Sequence, residues 1–325
     1  MSKPGSIRPR ATLLPGGGFH VAWIAAVVCL ALLGFGSPEV RAHAGLHDDI
    51  ERATRALEQS PDNGDLYARR AHYYRLGGHY EEALADLVRA RELEPGNMAV
   101  ALGLGMTYSA LERDGEAEAE LDRVISAGQE SVRAFSERAA VRARGGRLQE
   151  AIDDYSRAIE IQRDIELYLR RGELQEATGD LRAAVVGYFD GFEHLGGAVT
   201  LRLALIRVET QRGEYESALA YIDQELQRAP VKTSWCLRKA EVLRAAGRAE
   251  EAGLALDMAL TEANEVIEKR ATGIHLYSRA KVYAALGRTD EAKQDLENVL
   301  VKSPRFSEAR KLMEQLETQE TTQED

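Results

Sequence analysis

The chain has 325 residues, enough for about two domains, and carries 53 acids against 42 bases, a net charge of −11. That balance excludes a protein that coats nucleic acid through a basic surface. Two cysteines, Cys29 and Cys236, exclude a disulfide framework or a multi-cysteine metal site, and 6% aromatics suit helices better than a β-sandwich.

In chain order the first element is an address. Lys3, Arg8 and Arg10 form a basic start, Val21 to Phe35 is apolar and uncharged, and Ala42-His43-Ala44 is a small-residue cleavage pattern. Residues 1–44 are therefore expected to be a signal peptide, leaving Gly45 first and the protein periplasmic or extracellular. The alternative is an uncleaved anchor in an inner membrane, because Ala11 to Pro38 carries no charge and is long enough to span a bilayer. Removing residues 1–44 takes away +3 and leaves −14.

Residues 45–63 are expected to form a capping helix, since 46–60 read as the second helix of an incomplete repeat ending at Pro61. From 64 to 304 one pattern recurs. Ala83, Ala117, Ala151, Ala184, Ala218, Ala252 and Ala292 are separated by 34, 34, 33, 34, 34 and 40 residues. Five residues before six of them sits a glycine, and the second repeat lacks it. Pro61, Pro95, Pro230 and Pro304 keep the same register. Each unit reads as two amphipathic helices broken by glycine, and an alanine recurs where two helices cross closely. The 40-residue period is expected to lengthen one second helix towards Gly273. Residues 305–317, with Phe306, Ala309, Leu312, Met313 and Leu316, form a second cap. The polar tail, 318–325, is expected to be disordered.

The unit resembles the tetratricopeptide repeat family. A large residue stands at position 4 (Tyr67, Phe135, Tyr168), a small one at 8 (Ala71, Gly105, Ala139, Gly172, Ala240, Ala280), and Tyr at 11 (Tyr74, Tyr108, Tyr283). Alanine follows at 20, and Leu, Ile or Tyr at 24. The fold this implies is all-α, a right-handed α-solenoid of about seven helix pairs with a cap at each end. Departures cluster in the unit at 199–232, where Ile206 and Glu225 replace small residues.

Charge is sorted between helices. The first helices sum to +10 and the rest of the mature chain to −24. In the resembled family first helices line a concave groove, so a relatively basic groove is expected to focus potential on acidic segments. The candidate groove residues are His72, Arg75, Arg133, Arg144, Arg207, Arg244, Tyr277 and Lys281, with Glu173, Glu176 and Glu241 on the same face. Position 7 carries Arg70, Arg138, Arg171, Lys239 and Arg279. Position 23 carries Asp86, Glu120, Asp154 and Asp295. These two sets are expected to pair as structural bridges rather than bind ligand.

No phosphate loop, nucleophile elbow or zinc helix is present in the sequence, and Cys236 has no neighbouring His to activate it. No cofactor and no catalytic residue is assigned. The function expected is a non-enzymatic exported scaffold for a protein or peptide partner, with no nucleic acid and with membrane contact only if the N-terminal segment is retained. Two alternatives stand beside it. One is a membrane-anchored envelope-assembly subunit. The other is a periplasmic metal-handling protein, because a chain starting at Gly45-Leu46-His47 resembles the amino-terminal copper/nickel motif, whose four nitrogens suit a square-planar ion.

Overall fold

Each early repeat starts where a short polar side chain satisfies a helix's first free amides. Asn63 accepts from the Leu66 amide at 3.1 Å, Asn97 from Ala99 at 3.0 Å, Ser131 from Ala134 at 3.1 Å and Asp164 from Glu166 at 2.9 Å. The computed structural model describes residues 38–324, and the apolar Val21–Phe35 segment lies outside them. Among the described residues there are helices and no strands: α1 (Pro38–Gln59), α2 (Gly64–Leu76), α3 (Tyr80–Leu93), α4 (Met98–Ala110), α5 (Asp114–Ser126), α6 (Val132–Arg144), α7 (Leu148–Ile161) and α8 (Ile165–Ala177). There follow α9 (Leu181–His194), α10 (Val199–Gln211), α11 (Tyr215–Arg228), α12 (Thr233–Ala245), α13 (Ala249–Lys269), α14 (Gly273–Ala285), α15 (Thr289–Lys302) and α16 (Ser307–Glu324). No described helix is long and apolar enough to cross a membrane.

The chain separates into two compact units, one ending at Glu112 and one beginning at Arg113. A single continuous array was the expectation. The boundary falls inside the second repeat, the repeat that lacks its turn glycine. In the other six repeats that position is Gly78, Gly146, Gly179, Gly213, Gly247 and Gly287, with φ between 73° and 82°. Here it is Glu112 at φ 57°, the non-glycine residue forced into the left-handed region.

In the first unit α1 packs on α2, α2 on α3 and α3 on α4. Ala53, Leu57, Ala71, Ala83, Leu87 and Leu104 are buried between them. A leucine so enclosed contributes about 1.5–3 kcal/mol. The cap begins at Pro38, seven residues before the expected start at Gly45. Proline is favoured in a helix's first turn, where its missing amide costs nothing.

In the second unit successive helices from α5 to α16 pack in order, and first helices also touch directly, α8 on α10 and α12 on α14. The register alanines Ala117, Ala151, Ala184, Ala218, Ala252 and Ala292 are all at most 1% exposed, so a β-carbon is all that fits there. The fourth repeat trades sizes: a β-carbon on Gly172 would lie 2.3 Å from the Tyr188 ring, and one on Gly191 would lie 2.7 Å from Tyr168. The fifth repeat absorbs its departures differently. Ile206 is buried, and Glu225 takes an ion pair at 3.2 Å from Arg202, whose guanidinium lies 3.8 Å from the Phe192 ring and 4.8 Å from Tyr221.

Helix α13 is 21 residues long, which accounts for the 40-residue period. At the C-terminus α16 buries Ala309 and Leu316 and continues to Glu324, past the expected end at 317. The disordered tail expected from Thr318 is thus corrected to helix. Thr318 to Glu324 contain no proline or glycine to stop it.

Candidate functional site

Position 7 of each first helix points at the second helices, and there the charges meet. Arg70 grips Asp86 with Nε and Nη2, both at 2.7 Å, and Arg138 grips Asp154 at 2.9 and 2.6 Å. Arg279 grips Asp295 at 2.7 and 2.8 Å. Each also reaches the preceding second helix or the cap: Thr54 at 3.1 Å, Asp122 at 2.5 Å and Asn264 at 2.9 Å, respectively. Lys239 uses only that backward route, to Asp223 at 2.6 Å. Glu120 goes instead to Arg123, because position 7 of its repeat is Leu104. Forked pairs of this kind fix orientation as well as charge.

The eight candidate groove residues divide. In the first unit His72 is exposed on α2 and its Nδ1 lies 3.5 Å from Arg75 Nη2. In the second unit three of the arginines tie the fold to itself. Arg144 reaches Asp114 at 2.5 Å, Arg207 forks onto Glu176, and Arg244 donates to the Ala285 carbonyl at 2.5 Å, at the end of α14. Glu176 also accepts the Tyr188 hydroxyl at 2.6 Å, so it is a structural hub. Tyr277 leans on Phe306 at 5.0 Å between ring centroids and is part of the C-terminal cap contact, while Lys281 Nζ hovers 6.0 Å from the Tyr277 ring. Arg133 lies 3.2 Å from Glu137 of its own helix and is 62% exposed.

Arg133 stands at the rim of an open cleft of about 450 Å³ between α6 and α8. Val132, Ala140, Leu167 and Tyr155 give it an apolar wall. Arg133, Glu137, Glu166 and Arg170 surround that wall. Arg170 is held by Glu166 at 2.7 Å and Glu173 at 3.3 Å, and these acids keep its guanidinium charged. Burial pushes the Tyr155 hydroxyl pKa up, so it remains a neutral group. Sequence reasoning missed Arg170 and Tyr155. The signal available for Arg170 was its spacing from Glu166 and Glu173, four and three residues away on one helix face. Tyr155 belongs to a second helix, and only packing brings it to this cleft.

The remaining candidates have other surroundings. His47 sits within α1 with Nδ1 3.4 Å from Glu51, and Gly45 and Leu46 lie in the same helix. A β-carbon on Gly77 would lie 3.2 Å from Leu46, so Leu46 covers the end of α2. Cys236 is buried, and burial pushes its thiol pKa up, the opposite of an activated nucleophile.

Comparison with known proteins places these observations. Three models described as tetratricopeptide repeat match residues 74–141, 203–266 and 276–300. Human tetratricopeptide repeat protein 13 is 28% identical over 162 residues, 48% of this chain and 18% of that protein. The bovine protein SGT1 homolog is 39% identical over 57 residues, 18% of this chain and 17% of that protein. The chain thus spans less than a fifth of the length of these curated relatives. Among solved structures, a tetratricopeptide repeat protein from Parabacteroides merdae is 18% identical with a TM-score of 0.48, covering 78% of this chain and 98% of its own. YrrB, described as having an unusual peptide-binding site, is 22% identical with a TM-score of 0.46, covering 56% and 94%. With three matched segments in phase with the paired helices and their buried alanines, the chain belongs to the tetratricopeptide repeat family.

Proposed function

We propose that this protein is a non-enzymatic interaction scaffold that takes a peptide segment of a partner protein across the first-helix face of its second unit. The observation that carries this reading is the cleft between α6 and α8, where an apolar wall of Val132, Ala140, Leu167 and Tyr155 is ringed by Arg133, Glu137, Glu166 and Arg170. An apolar anchor side chain fits the wall, and peptide sites combine such anchors with polar rims. A preference for acidic segments rests on Arg133 and Lys281, because Arg144, Arg207 and Arg244 are paired with other parts of the fold and Arg170 is held by Glu166 and Glu173. The first-helix surplus of +10 is therefore a poor measure of the charge a ligand meets.

The test uses partners captured by the full chain from its native extract and measured at low and high salt. Ala140→Gln, at a half-buried position of the wall, is expected to block binding while Arg133→Glu weakens it and lowers its salt dependence. Arg207→Glu is unsuitable as a probe, since it sets a carboxylate against Glu176 and loosens the fold. Capture that is indifferent to both Ala140→Gln and Arg133→Glu overturns the cleft as the site.

Export is part of the same proposal and is supported by the basic start, the Val21–Phe35 run and the Ala42-His43-Ala44 pattern. N-terminal sequencing of the protein from its native cells tests it: a chain starting at Gly45 supports a cleaved signal, and one starting at Met1 in the membrane fraction supports the anchored alternative. A Gly45 start would also permit the copper reading, for which His47→Ala must lower Cu(II) affinity.

A further inference from the structure

Arg171 breaks the rule its neighbours keep. In repeats one, three and seven the position-7 arginine is forked by an aspartate sixteen residues on. In the fourth repeat that position is Gly187, and the place on the preceding helix held by Asp122 or Asp223 in other repeats is Ser156. The Ser156 hydroxyl lies 3.5 Å from Arg171 Nη1, at the limit of a hydrogen bond. Arg171 Nε is buried with no acceptor, and the adjoining Gln175 Oε1 is buried with no donor. Under the guanidinium lies the Tyr168 ring, at 5.4 Å. Burial pushes the Arg171 pKa down, and Tyr168 and the nearby Asp190 offset only part of that. A buried cation left this way is costly, and proteins normally supply its counter-charge.

Space for that counter-charge is present. A cleft of about 410 Å³ opens onto Arg171, lined by Ser156, Glu160, Arg163, Tyr168 and Asp190. Asp190 takes the Tyr168 hydroxyl at 2.8 Å and lies 3.1 Å from His194, so it is already committed. A β-carbon at Gly187 would come 3.0 Å from Arg171 Nη2, which marks the direction from which a carboxylate arrives in the sister repeats.

We infer that the Arg171 slot is a carboxylate-binding site on the second-helix side of the fourth repeat, filled by an acidic ligand in place of the aspartate that Gly187 lacks. The ligand's carboxylate reaches the guanidinium from the Ser156 side, where Nη1 lies 3.5 Å from the Ser156 hydroxyl and both residues line the cleft. Arg163 lines the same cleft and its charge offsets that of Glu160 there. This site is separate from the α6–α8 cleft and stands or falls independently of it.

The experiment follows the Nε–H resonance of Arg171, assigned by its loss in Arg171→Lys, during titration with sodium acetate at constant ionic strength against sodium chloride. The expected result is a saturable shift with acetate and none with chloride, accompanied by a rise in Tm. Gly187→Asp and Ser156→Asp each supply the carboxylate from within. Each is expected to raise Tm without ligand and to weaken acetate binding about ten-fold or more, since the guanidinium's charge is then already paired. Two independent variants keep the test informative if one folds poorly. A blocked triglutamate peptide binding more tightly than acetate identifies an acidic side chain of a polypeptide as the source, and acetate binding as well or better identifies a free small carboxylate. No acetate shift, an equal shift with chloride, or undiminished acetate binding in both aspartate variants overturns the site.

Discussion

Arg138 and Asp154 face each other across the two helices of one repeat, Nε to Oδ2 at 2.9 Å and Nη2 to Oδ1 at 2.6 Å, both largely out of water. The same clasp closes the first and seventh repeats. It joins the middle of a first helix to the middle of its second helix, so each pair is oriented by a fork as well as by its apolar seam. Removing one tooth of a buried fork leaves a charge without compensation.

The first repeat isolates this effect, because Arg70's contacts besides Asp86 are with uncharged groups, the Thr54 hydroxyl and the Tyr67 and Tyr74 rings. Asp86→Asn is expected to cost about 2–4 kcal/mol in urea unfolding. The double replacement Arg70→Met with Asp86→Leu removes both charges and should cost much less. Equal losses for the single and double variants would show that the fork's geometry, rather than an orphaned charge, governs stability.

Glu112 occupies the left-handed position that glycine holds in the other repeats, at φ 57°. Glu112→Gly should stabilise the protein by about 1 kcal/mol, the cost of holding a β-carbon in that conformation. The control is Gly146→Ala, which imposes the same strain in the next repeat and should move stability the other way. Both are read by denaturant midpoint at unchanged m-value.

Glu118 is pulled down to about 2 from 4.5, first by hydrogen bonds from Arg147 and further by Arg142. A folded-state value below the unfolded one adds stability that is complete above about pH 4.5 and is lost as the pH falls towards 2. Stability of the wild type should therefore drop through that window. In Glu118→Gln it should start lower at pH 7 and fall less steeply over the same window. A parallel decline in both proteins would remove Glu118 from the cause.

Gly172 faces the Tyr188 ring so closely that a methyl group there would sit 2.3 Å from it. Gly172→Ala should cost about 1–3 kcal/mol through overpacking, although alanine stands at this position in four other repeats. The double variant Gly172→Ala with Tyr188→Leu matches the size pairing of the first repeat, Ala71 with Leu87, and should recover part of the loss. Thermal unfolding of the wild type, the two single variants Gly172→Ala and Tyr188→Leu, and the double variant measures the coupling.

The sequence by itself determined the repeat. Its register is local and periodic: Ala83 through Ala292 mark the helix crossings, the glycines mark the turns, and the lengthened period near Asn264 produced the long α13. These features are legible because a helix crossing or a left-handed turn restricts one residue at one place in every repeat. The tertiary structure decided where the charges go. Arg144, Arg207 and Arg244 carry the same formal charge as Arg133, yet their partners lie 30, 31 and 41 residues away, and no periodicity in a single chain specifies those partners. Arg171 shows the converse: its register foretold a bridge, and Gly187 with Ser156 left it a buried cation at an open cleft. Ion pairing depends on distance and burial, both of which exist only after the helices have stacked.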